Sequence, residues 1–232
     1  MKVVLILGIL VVAYLGYAGF RFYTAVQISK KLVEEAVSYE KVGDDVRTAV
    51  LVLGDSTAVG VGADTPEDTV AGRTSAYLDA TSVENYAVSG AQVEDLPGQI
   101  ERAKHAEYRL ILIHIGANDI IQLHSPTKTA NSLKSVVETL PTAERIIISA
   151  GDVGGAPLFP SVIRPFYTKR TILFHDAFTQ ALAESRAMYV NLYASPSREV
   201  INKNPDIYLA ADGLHLSSKG YELWFKEIQP YL

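Results

Sequence analysis

An uncharged apolar run, Val3 to Phe20, dominates the hydropathy pattern of the first residues. Its 18 residues just reach the length at which a helix spans the hydrocarbon core of a bilayer. Lys2 and Arg21 bracket the run. Aromatic residues of the kind that favour a membrane interface lie in its second half and just beyond it, at Tyr14, Tyr17, Phe22 and Tyr23. The pattern predicts a transmembrane anchor or signal segment over residues 1–23.

Two other interpretations of the apolar run stay open. Gly16, Tyr17 and Ala18 place small residues at the spacing of a signal-peptidase site, so the run can be a cleaved export signal. It can also be a buried helix of a globular domain, although it has no polar face. The apolar residues continue past the cleavage site, and this favours an uncleaved anchor.

A second helical pattern follows the apolar run. Apolar residues recur across positions 24–41 at the spacing of an amphipathic helix, namely Val26, Ile28, Leu32, Val33 and Val37. The next four residues, 42–45, have the composition of a break. We therefore expect a helical stalk or linker over residues 24–45 and a globular domain over residues 46–232.

Within residues 46–232, short apolar runs rich in β-branched residues alternate with segments of helical length. The predicted strands are Ala49–Leu53, Val83–Val88, Leu110–Ile115, Ile146–Ser149 and Tyr189–Leu192. The predicted helices are Asp68–Leu78, Gln92–Ala103, Asn131–Leu140, Tyr167–Arg186 and Ser218–Leu232. Such alternation is typical of an α/β domain whose parallel sheet is covered by helices on both faces. Sites in such domains form outside the carboxyl ends of the strands.

Composition and charge narrow the possible partners. With 48% hydrophobic and 20% charged residues, the chain has the composition of a folded protein. The four charged residues among the first 31 are all basic, which leaves 17 basic against 26 acidic residues, a net charge of −9, for residues 32–232. Such a domain repels phosphate backbones, so we expect no nucleic-acid partner. The absence of cysteine excludes disulfides, thiolate metal sites and a cysteine nucleophile.

Candidate chemistry lies at the ends of the predicted strands. Ser56 follows the first strand, Gly90 the second and Asn118 the third, so the three should meet at one edge of the sheet. Asp212 and His215 lie in a loop just before the last helix. A serine hydroxyl becomes a nucleophile when a base lies within hydrogen-bond reach and a third group holds that base. His215 suits the base, and Asp212 suits the group that orients it.

An acyl-transfer site also needs hydrogen-bond donors for the oxyanion of its intermediate. Gly90 offers a backbone N–H where a side chain would obstruct approach, and Asn118 offers a side-chain amide. The backbone N–H of Ser56 is a third donor at the head of the following helix. Asp55 is interpreted as a loop hydrogen-bonder and Asp119 as structural.

In four blocks, which occur in the family's order, the sequence resembles the SGNH (GDSL-type) hydrolases. The blocks are Gly54-Asp55-Ser56-Thr57, Asn85-Tyr86-Ala87-Val88-Ser89-Gly90, Gly116-Ala117-Asn118-Asp119 and Asp212-Gly213-Leu214-His215. The resemblance spans residues 48–232 and implies a flavodoxin-like three-layer α/β/α sandwich with about five parallel strands. It also implies Ser56 as nucleophile, His215 as base and Asp212 as its orienting partner. The implied oxyanion hole consists of Ser56, Gly90 and Asn118.

Two positions depart from the family's pattern. Thr57 stands where the name-giving motif has leucine, and Leu216 follows the histidine where proline is common. Neither side chain carries the chemistry, so the departures concern the subfamily. The motif Gly-x-Ser-x-Gly is absent around Ser56, because Ala58 stands two residues after it, and this argues against an α/β-hydrolase nucleophile elbow.

A glycine- and proline-rich loop, residues 151–167, follows the fourth predicted strand and should lie at the same edge of the sheet. Its large apolar residues form a possible substrate pocket or lid, and packing onto the core suits them equally well: Leu158, Phe159, Phe166 and Tyr167. His114, at a strand end, either lines the pocket or, as we favour, is structural. The remaining histidines are scattered without zinc-ligand spacing to an acid, so we predict no metal and no cofactor.

These features predict a serine esterase that forms an acyl-enzyme on a lipid, a thioester or a small acyl ester. The apolar loop favours such esters over the alternative, O-deacetylation of a cell-surface polysaccharide. A tethered, non-catalytic binding module with the same fold is a further alternative, and the complete set of catalytic residue types argues against it.

The expected location of the catalytic domain is outside the cytoplasm. The short basic start at Lys2 resembles an export signal, and the family includes many exported enzymes. Arg21, Lys30 and Lys31 favour the opposite orientation by the positive-inside rule.

Overall fold

Five parallel strands form the central sheet, in the spatial order β2-β1-β3-β4-β5. Their bounds are β1 Val50–Gly54, β2 Val83–Asn85, β3 Glu107–His114, β4 Thr142–Ala150 and β5 Met188–Asn191. The structure, a computed structural model, describes residues 2–43 and 45–232 of the chain. The predicted parallel sheet of five strands is confirmed, since each predicted strand overlaps one of these.

Helices connect the strands and extend the chain on the amino-terminal side. In chain order they are α1 Lys2–Glu35, α2 Ser56–Val59, α3 Val70–Tyr77, α4 Leu96–Ile100, α5 Ala117–Ile121, α6 Pro126–Thr139, α7 Arg164–Leu182, α8 Pro196–Lys203, α9 Pro205–Tyr208 and α10 Ser218–Ile228.

Each face of the sheet has its own hydrophobic core. Alternate side chains of a strand point to opposite faces, so Leu51 and Ile111 pack with α6 and α7, whereas Val50 and Leu110 pack with α3 and α10. The central strands are buried on both sides, which explains why they are continuous apolar runs in the sequence. The predicted three-layer α/β/α sandwich is thereby confirmed.

Two predicted elements are shorter than expected. β2 stops at Asn85, because the side chain of Asn85 bonds the backbone of Ala58 and Ala87 and turns the chain out of the sheet. The helix predicted over residues 92–103 is reduced to α4, since a capping box between Gln92 and Asp95 closes a separate 3-10 turn first. α8 and α9 were not predicted, although a proline stands at the start of each.

α1 is one unbroken helix of 34 residues that continues from the apolar run into the predicted stalk. Within the described residues, it is the one helix long and apolar enough to cross a membrane, over Ile6–Glu35. The helix ends at Glu35 rather than at position 41. The following segment joins the catalytic domain: Lys41 exchanges two backbone hydrogen bonds with Val83 at 2.8 and 3.0 Å.

Candidate active site

β1 brings Ser56 to the carboxyl edge of the sheet by way of a glycine. Gly54 has a φ of +131°, and a Cβ there would lie 1.9 Å from the carbonyl oxygen of His114, so the approach of β1 to β3 requires glycine. Asp55 then caps α2, its carboxylate accepting the backbone N–H of Thr57 at 2.9 Å. Ser56 is therefore the first residue of a helix that starts at the end of a buried strand.

Three side chains form a hydrogen-bonded chain at this edge. Nε2 of His215 lies 3.0 Å from Oγ of Ser56, and Nδ1 of His215 lies 2.6 Å from Oδ2 of Asp212. The second carboxylate oxygen of Asp212 accepts the backbone N–H groups of Leu214 and His215, which fixes the carboxylate within its turn. With Nδ1 donating to Asp212, Nε2 is left as an acceptor for the Ser56 hydroxyl. The structure thus brings together the three residues that the sequence singles out.

The carboxylate of Asp212 is buried, with 2% of the residue exposed. Burial alone would raise the pKa of Asp212, but the hydrogen bond and charge of His215 and the two backbone N–H groups outweigh burial and hold the pKa below its ordinary value. Asp212 consequently stays ionised. An ionised carboxylate in this position stabilises the imidazolium that forms when His215 takes a proton.

The predicted oxyanion donors line the same cavity as Ser56. Nδ2 of Asn118 donates one hydrogen bond to the carbonyl of Ala91 at 2.9 Å, which identifies the nitrogen of the amide and holds it in place. An amide nitrogen has two hydrogens, so the second is available to a ligand. Gly90 has a φ of +88°, and a Cβ there would meet no atom within 4 Å, so a side chain would project into open space. Glycine is thus required at position 90 by backbone conformation.

Asp119 links the loop of Gly90 to the helix of Asn118. Its buried carboxylate accepts the backbone N–H of Val93 at 3.2 Å and contacts Nδ1 of His124 at 3.3 Å. The residue therefore holds two parts of the site together through contacts outside the cavity, consistent with the structural interpretation of Asp119.

The cavity beside Ser56 has a volume of about 260 Å³ and a largely apolar lining. Its apolar residues come from several separate elements, among them Ile115, Ile121, Leu192, Ile201, Leu214 and Trp224. Among the described residues, no group of three or more histidine, aspartate or glutamate side chains could hold a metal ion. The arrangement is one of an activated hydroxyl beside an apolar space.

His114 also lines the cavity, but it is buried against Ser149 and Trp224. Its Nδ1 is hydrogen-bonded to Oγ of Ser149. Burial lowers the pKa of His114 to about 4, so the ring is neutral near neutral pH. These contacts agree with the structural role favoured from the sequence.

The four apolar residues of the predicted pocket loop lie elsewhere. Phe159 is buried in the core and stacks on Tyr167 with ring centroids 4.5 Å apart, Leu158 packs against the same core, and Phe166 is exposed. Of the described residues that line the cavity at Ser56, none is one of these four. Leu158 and Phe159 instead line a neighbouring groove along α1.

Sequence reasoning missed most of the residues that line the cavity, and those of α1 are the least expected among them. Ser29 and Val33, one helical turn apart, line the cavity together with Ser56 and His215. The amphipathic pattern over residues 24–41 indicated an apolar face. It contained no signal for the surface that this face covers.

The chain is similar to known proteins in both sequence and fold. The sequence model of the GDSL-like lipase/acylhydrolase family matches residues 52–223 of the 232. The chain belongs to the GDSL-like lipase/acylhydrolase family. Membership of this GDSL-like family places the chain among the hydrolases and confirms the resemblance drawn from the sequence. No curated protein sequence matches the chain.

Solved structures share the fold of this GDSL-like protein. Phospholipase A1 from Streptomyces albidoflavus NA297 is similar with a TM-score of 0.58 and 16% identity, covering 80% of this chain and 99% of its own. A lipase/acylhydrolase from Enterococcus faecalis is similar with a TM-score of 0.57 and 22% identity, covering 79% of this chain and 96% of its own. A catalytic mutant of Axe2, an acetylxylan esterase from Geobacillus stearothermophilus, is similar with a TM-score of 0.56 and 19% identity, covering 82% of this chain and 95% of its own. At these identities the likeness shows the fold.

Proposed function

We propose that this GDSL-like hydrolase is a serine esterase that cleaves carboxylic esters through an acyl-enzyme. The observation that supports this most is the hydrogen-bonded chain from Asp212 through His215 to Ser56 at the wall of a largely apolar cavity. Nucleophile, base and orienting carboxylate stand at the distances that acyl transfer requires.

In the first half-reaction, Oγ of Ser56 attacks the ester carbonyl carbon while Nε2 of His215 takes the hydroxyl proton. The tetrahedral intermediate then collapses, the bond from the carbonyl carbon to the alkoxy oxygen breaks, and His215 gives its proton to the leaving alcohol. In the second half-reaction, water attacks the acyl-serine ester with the same proton transfers. The carboxylic acid leaves, and the Ser56 hydroxyl is regenerated.

The negative charge that develops on the carbonyl oxygen needs preorganised donors. We assign these to the backbone N–H groups of Ser56 and Gly90 and to the side-chain amide of Asn118. The bond from Asn118 to Ala91 holds the amide before the substrate arrives, so little reorganisation accompanies the reaction.

The lining of the cavity favours an ester with an apolar acyl group, on a lipid, a thioester or a small alcohol. Its volume of about 260 Å³ is just below the range of roughly 300–1,000 Å³ for sites of drug-sized ligands. O-deacetylation of a polysaccharide remains the second candidate, because a similar fold belongs to an acetylxylan esterase. Comparing p-nitrophenyl esters of increasing chain length with acetylated glycans separates the two.

The role of Ser56 is tested by Ser56→Ala in the full chain. We expect loss of p-nitrophenyl ester hydrolysis by several orders of magnitude, with a residual rate roughly 10³-fold above that of water from the remaining donors. Covalent labelling by a fluorophosphonate should disappear as well.

Ser135→Ala, on the exposed face of α6, is the matched control and should keep both activity and labelling. Activity of Ser56→Ala within about tenfold of the unaltered chain would exclude Ser56 as the nucleophile. A non-catalytic binding module would show neither hydrolysis nor labelling in the unaltered chain.

We further propose that residues 1–23 anchor the protein in a membrane and that the catalytic domain, residues 46–232, lies outside the cytoplasm. The length and the exposed apolar surface of the first half of α1 support the anchor. Residues 24–45 then connect the anchor to the domain.

A further inference from the structure

α1 crosses the catalytic edge of the sheet and forms part of the wall of the active-site cavity. Its partly buried positions in this stretch recur at helical spacing: Ala25, Val26, Ile28, Ser29, Leu32 and Val33. Two of these, Ser29 and Val33, line the cavity that contains Ser56. The exposed positions between them, such as Lys30 and Glu34, belong to the opposite face.

The catalytic domain holds α1 on both sides of this crossing. Toward the amino terminus, the hydroxyl of Tyr14 lies 3.2 Å from Oγ of Ser161. Beyond the end of α1, the hydroxyl of Tyr39 donates to Oγ of Ser75 at 3.2 Å, and Lys41 pairs with Val83. The catalytic domain thus contacts the chain on both sides of the crossing.

A second groove runs along α1 toward the cavity. It has a volume of about 530 Å³, and both spaces are lined by Leu209. Its lining, shared between α1 and the domain, is about equally polar and apolar. Tyr17, Phe22, Ala25, Leu158 and Phe159 are among its apolar residues, and Arg21, Arg164, Asp206 and Asp212 are its charged ones. Together the groove and the cavity extend along one helix from its apolar half to the catalytic serine.

The rim of the domain beside this groove is apolar and exposed. Val162, Ile163 and Phe166 are 67%, 39% and 52% exposed. Val162 and Ile163 directly follow Ser161, which contacts Tyr14, and Phe166 comes after Arg164 and Pro165. Six residues separate Tyr14 from the end of the apolar run, about 9 Å along the helix. Amphipathic helices that lie in a membrane interface bury their apolar face to a depth of about 5–10 Å.

We propose that α1 completes an acyl-binding subsite, and that the subsite takes the hydrocarbon chain of a membrane lipid ester. The lipid enters from the bilayer beside the apolar half of α1, its acyl chain lies in the apolar cavity against Ser29 and Val33, and its ester lies at Ser56. Ser29 and Val33 then set the length of acyl chain that fits. This inference rests on the proposed esterase function and gives it a substrate class.

The subsite is tested by substitutions on α1 that reduce the volume of the cavity at Ser56. In the detergent-solubilised full chain, Val33→Trp and Ser29→Trp should lower kcat/KM for octanoyl and dodecanoyl p-nitrophenyl esters by about tenfold or more relative to the acetyl ester. Val33→Ala should shift the preference toward longer chains. Lys30→Trp adds the same bulk on the exposed face and should leave the chain-length profile unchanged.

Fluorophosphonate labelling of Ser56 in every variant shows that the catalytic centre is intact. An unchanged chain-length profile in Val33→Trp, Ser29→Trp and Val33→Ala would overturn the subsite. This outcome is distinct from failure of the esterase assignment, in which Ser56→Ala would keep activity or the unaltered chain would have none.

The source of the substrate is tested with the full chain reconstituted in phosphatidylcholine vesicles that contain a long-chain acyl ester. Hydrolysis should be faster when enzyme and ester share a vesicle than when the ester is in separate vesicles. Equal rates in the two arrangements would overturn entry from the surrounding bilayer.

Discussion

At the scale of the residue, the amide of Asn118 makes one hydrogen bond, from Nδ2 to the carbonyl of Ala91. In the proposed mechanism, the second hydrogen of Nδ2 serves the oxyanion. We expect Asn118→Ala to lower kcat by roughly 10²- to 10³-fold, the usual cost of one lost oxyanion donor. KM should change much less, because the donor acts mainly on charge that develops in the transition state.

Steady-state kinetics on a soluble short-chain ester check the prediction for Asn118. A rise in KM with an unchanged kcat would instead make Asn118 a substrate-binding residue. Fluorophosphonate labelling provides the control for a folded site.

The buried carboxylate of Asp55 leads to a second prediction at the scale of the residue, which concerns how the free energy of unfolding depends on pH. Burial raises the pKa of Asp55 to about 6 from an ordinary value of 3.8, against the opposing effect of the Thr57 N–H. Between these values the folded state binds more protons than the unfolded state, so the contribution of Asp55 to stability is lost as pH rises through 6. The loss amounts to about 3 kcal/mol. Asp55→Asn, which keeps an oxygen for Thr57, should therefore be increasingly more stable than the unaltered chain from pH 4 to 7.

Denaturant unfolding at a series of pH values, followed by the fluorescence of Trp224, the single tryptophan, measures this difference. Asp206→Asn, at an exposed position, is the matched control. A difference between Asp55→Asn and the unaltered chain that is constant with pH, or that shrinks as pH rises, would contradict the burial effect.

At the scale of the element, the sequence predicts what depends on local pattern. Strands such as β1 and β3 are apolar on both faces, and that pattern is visible without a structure. The convergence of Ser56, Gly90 and Asn118 follows equally well, because parallel strands place their carboxyl ends at one edge.

What the pattern misses is the partner of each element. The apolar face of α1 is visible from Val33 and its neighbours, but only the fold reveals that it covers the catalytic cavity. Phe159 shows the converse. Its loop position suits a substrate pocket or core packing, and its burial in one cluster with strand and helix residues such as Ile113 and Phe178 decides for the core. Contacts between residues far apart in sequence decide both cases.

Gln99 of α4 forms two hydrogen bonds with the backbone of Gly54, the last residue of β1, and this leads to a prediction at the scale of the element. β2 is too short to pair with Gly54, since its three residues lie opposite Val50, Leu51 and Val52 of β1. The buried side-chain amide of Gln99 bonds the backbone of Gly54 instead. It accepts the N–H of Gly54 at 2.8 Å and donates to its carbonyl at 2.9 Å. Gln99→Leu leaves that N–H buried without its partner, so unfolding free energy should fall by about 1–3 kcal/mol. Because Ser56 follows two residues later, kcat should fall as well.

Unfolding in denaturant and esterase kinetics on the same samples check both effects of Gln99→Leu. Gln180→Leu makes the same replacement on the exposed face of α7 and should change neither quantity. Unaltered stability in Gln99→Leu would mean that the bonds to Gly54 contribute nothing net to the end of β1.

At the scale of the whole molecule, the apolar half of α1 and the catalytic edge lie on the same side. A bilayer that contains the first half of α1 would therefore lie next to the mouth of the groove, which explains why one helix can serve as anchor and as wall. Removal of residues 1–18 would delete the contact of Tyr14 with Ser161 and three of the six α1 residues that line the groove. A segment that stays uncleaved would thus contribute to the walls of the groove beside the catalytic domain.

We accordingly predict that the protein remains in the membrane fraction with its apolar run uncleaved and its catalytic domain outside the cytoplasm. A reporter that is active only outside the cytoplasm should be active when fused after Leu232, and amino-terminal sequencing should not find a chain that starts at Gly19. Activity of a reporter that works only in the cytoplasm would reverse the orientation, in agreement with the charges of Arg21, Lys30 and Lys31. A mature chain starting at Gly19 would lack the anchor and three of the residues that line the groove, Tyr14, Tyr17 and Ala18, while leaving Ser56, Asp212 and His215 in place. Orientation and anchoring are thus separable from the chemistry, because every catalytic block lies beyond residue 50.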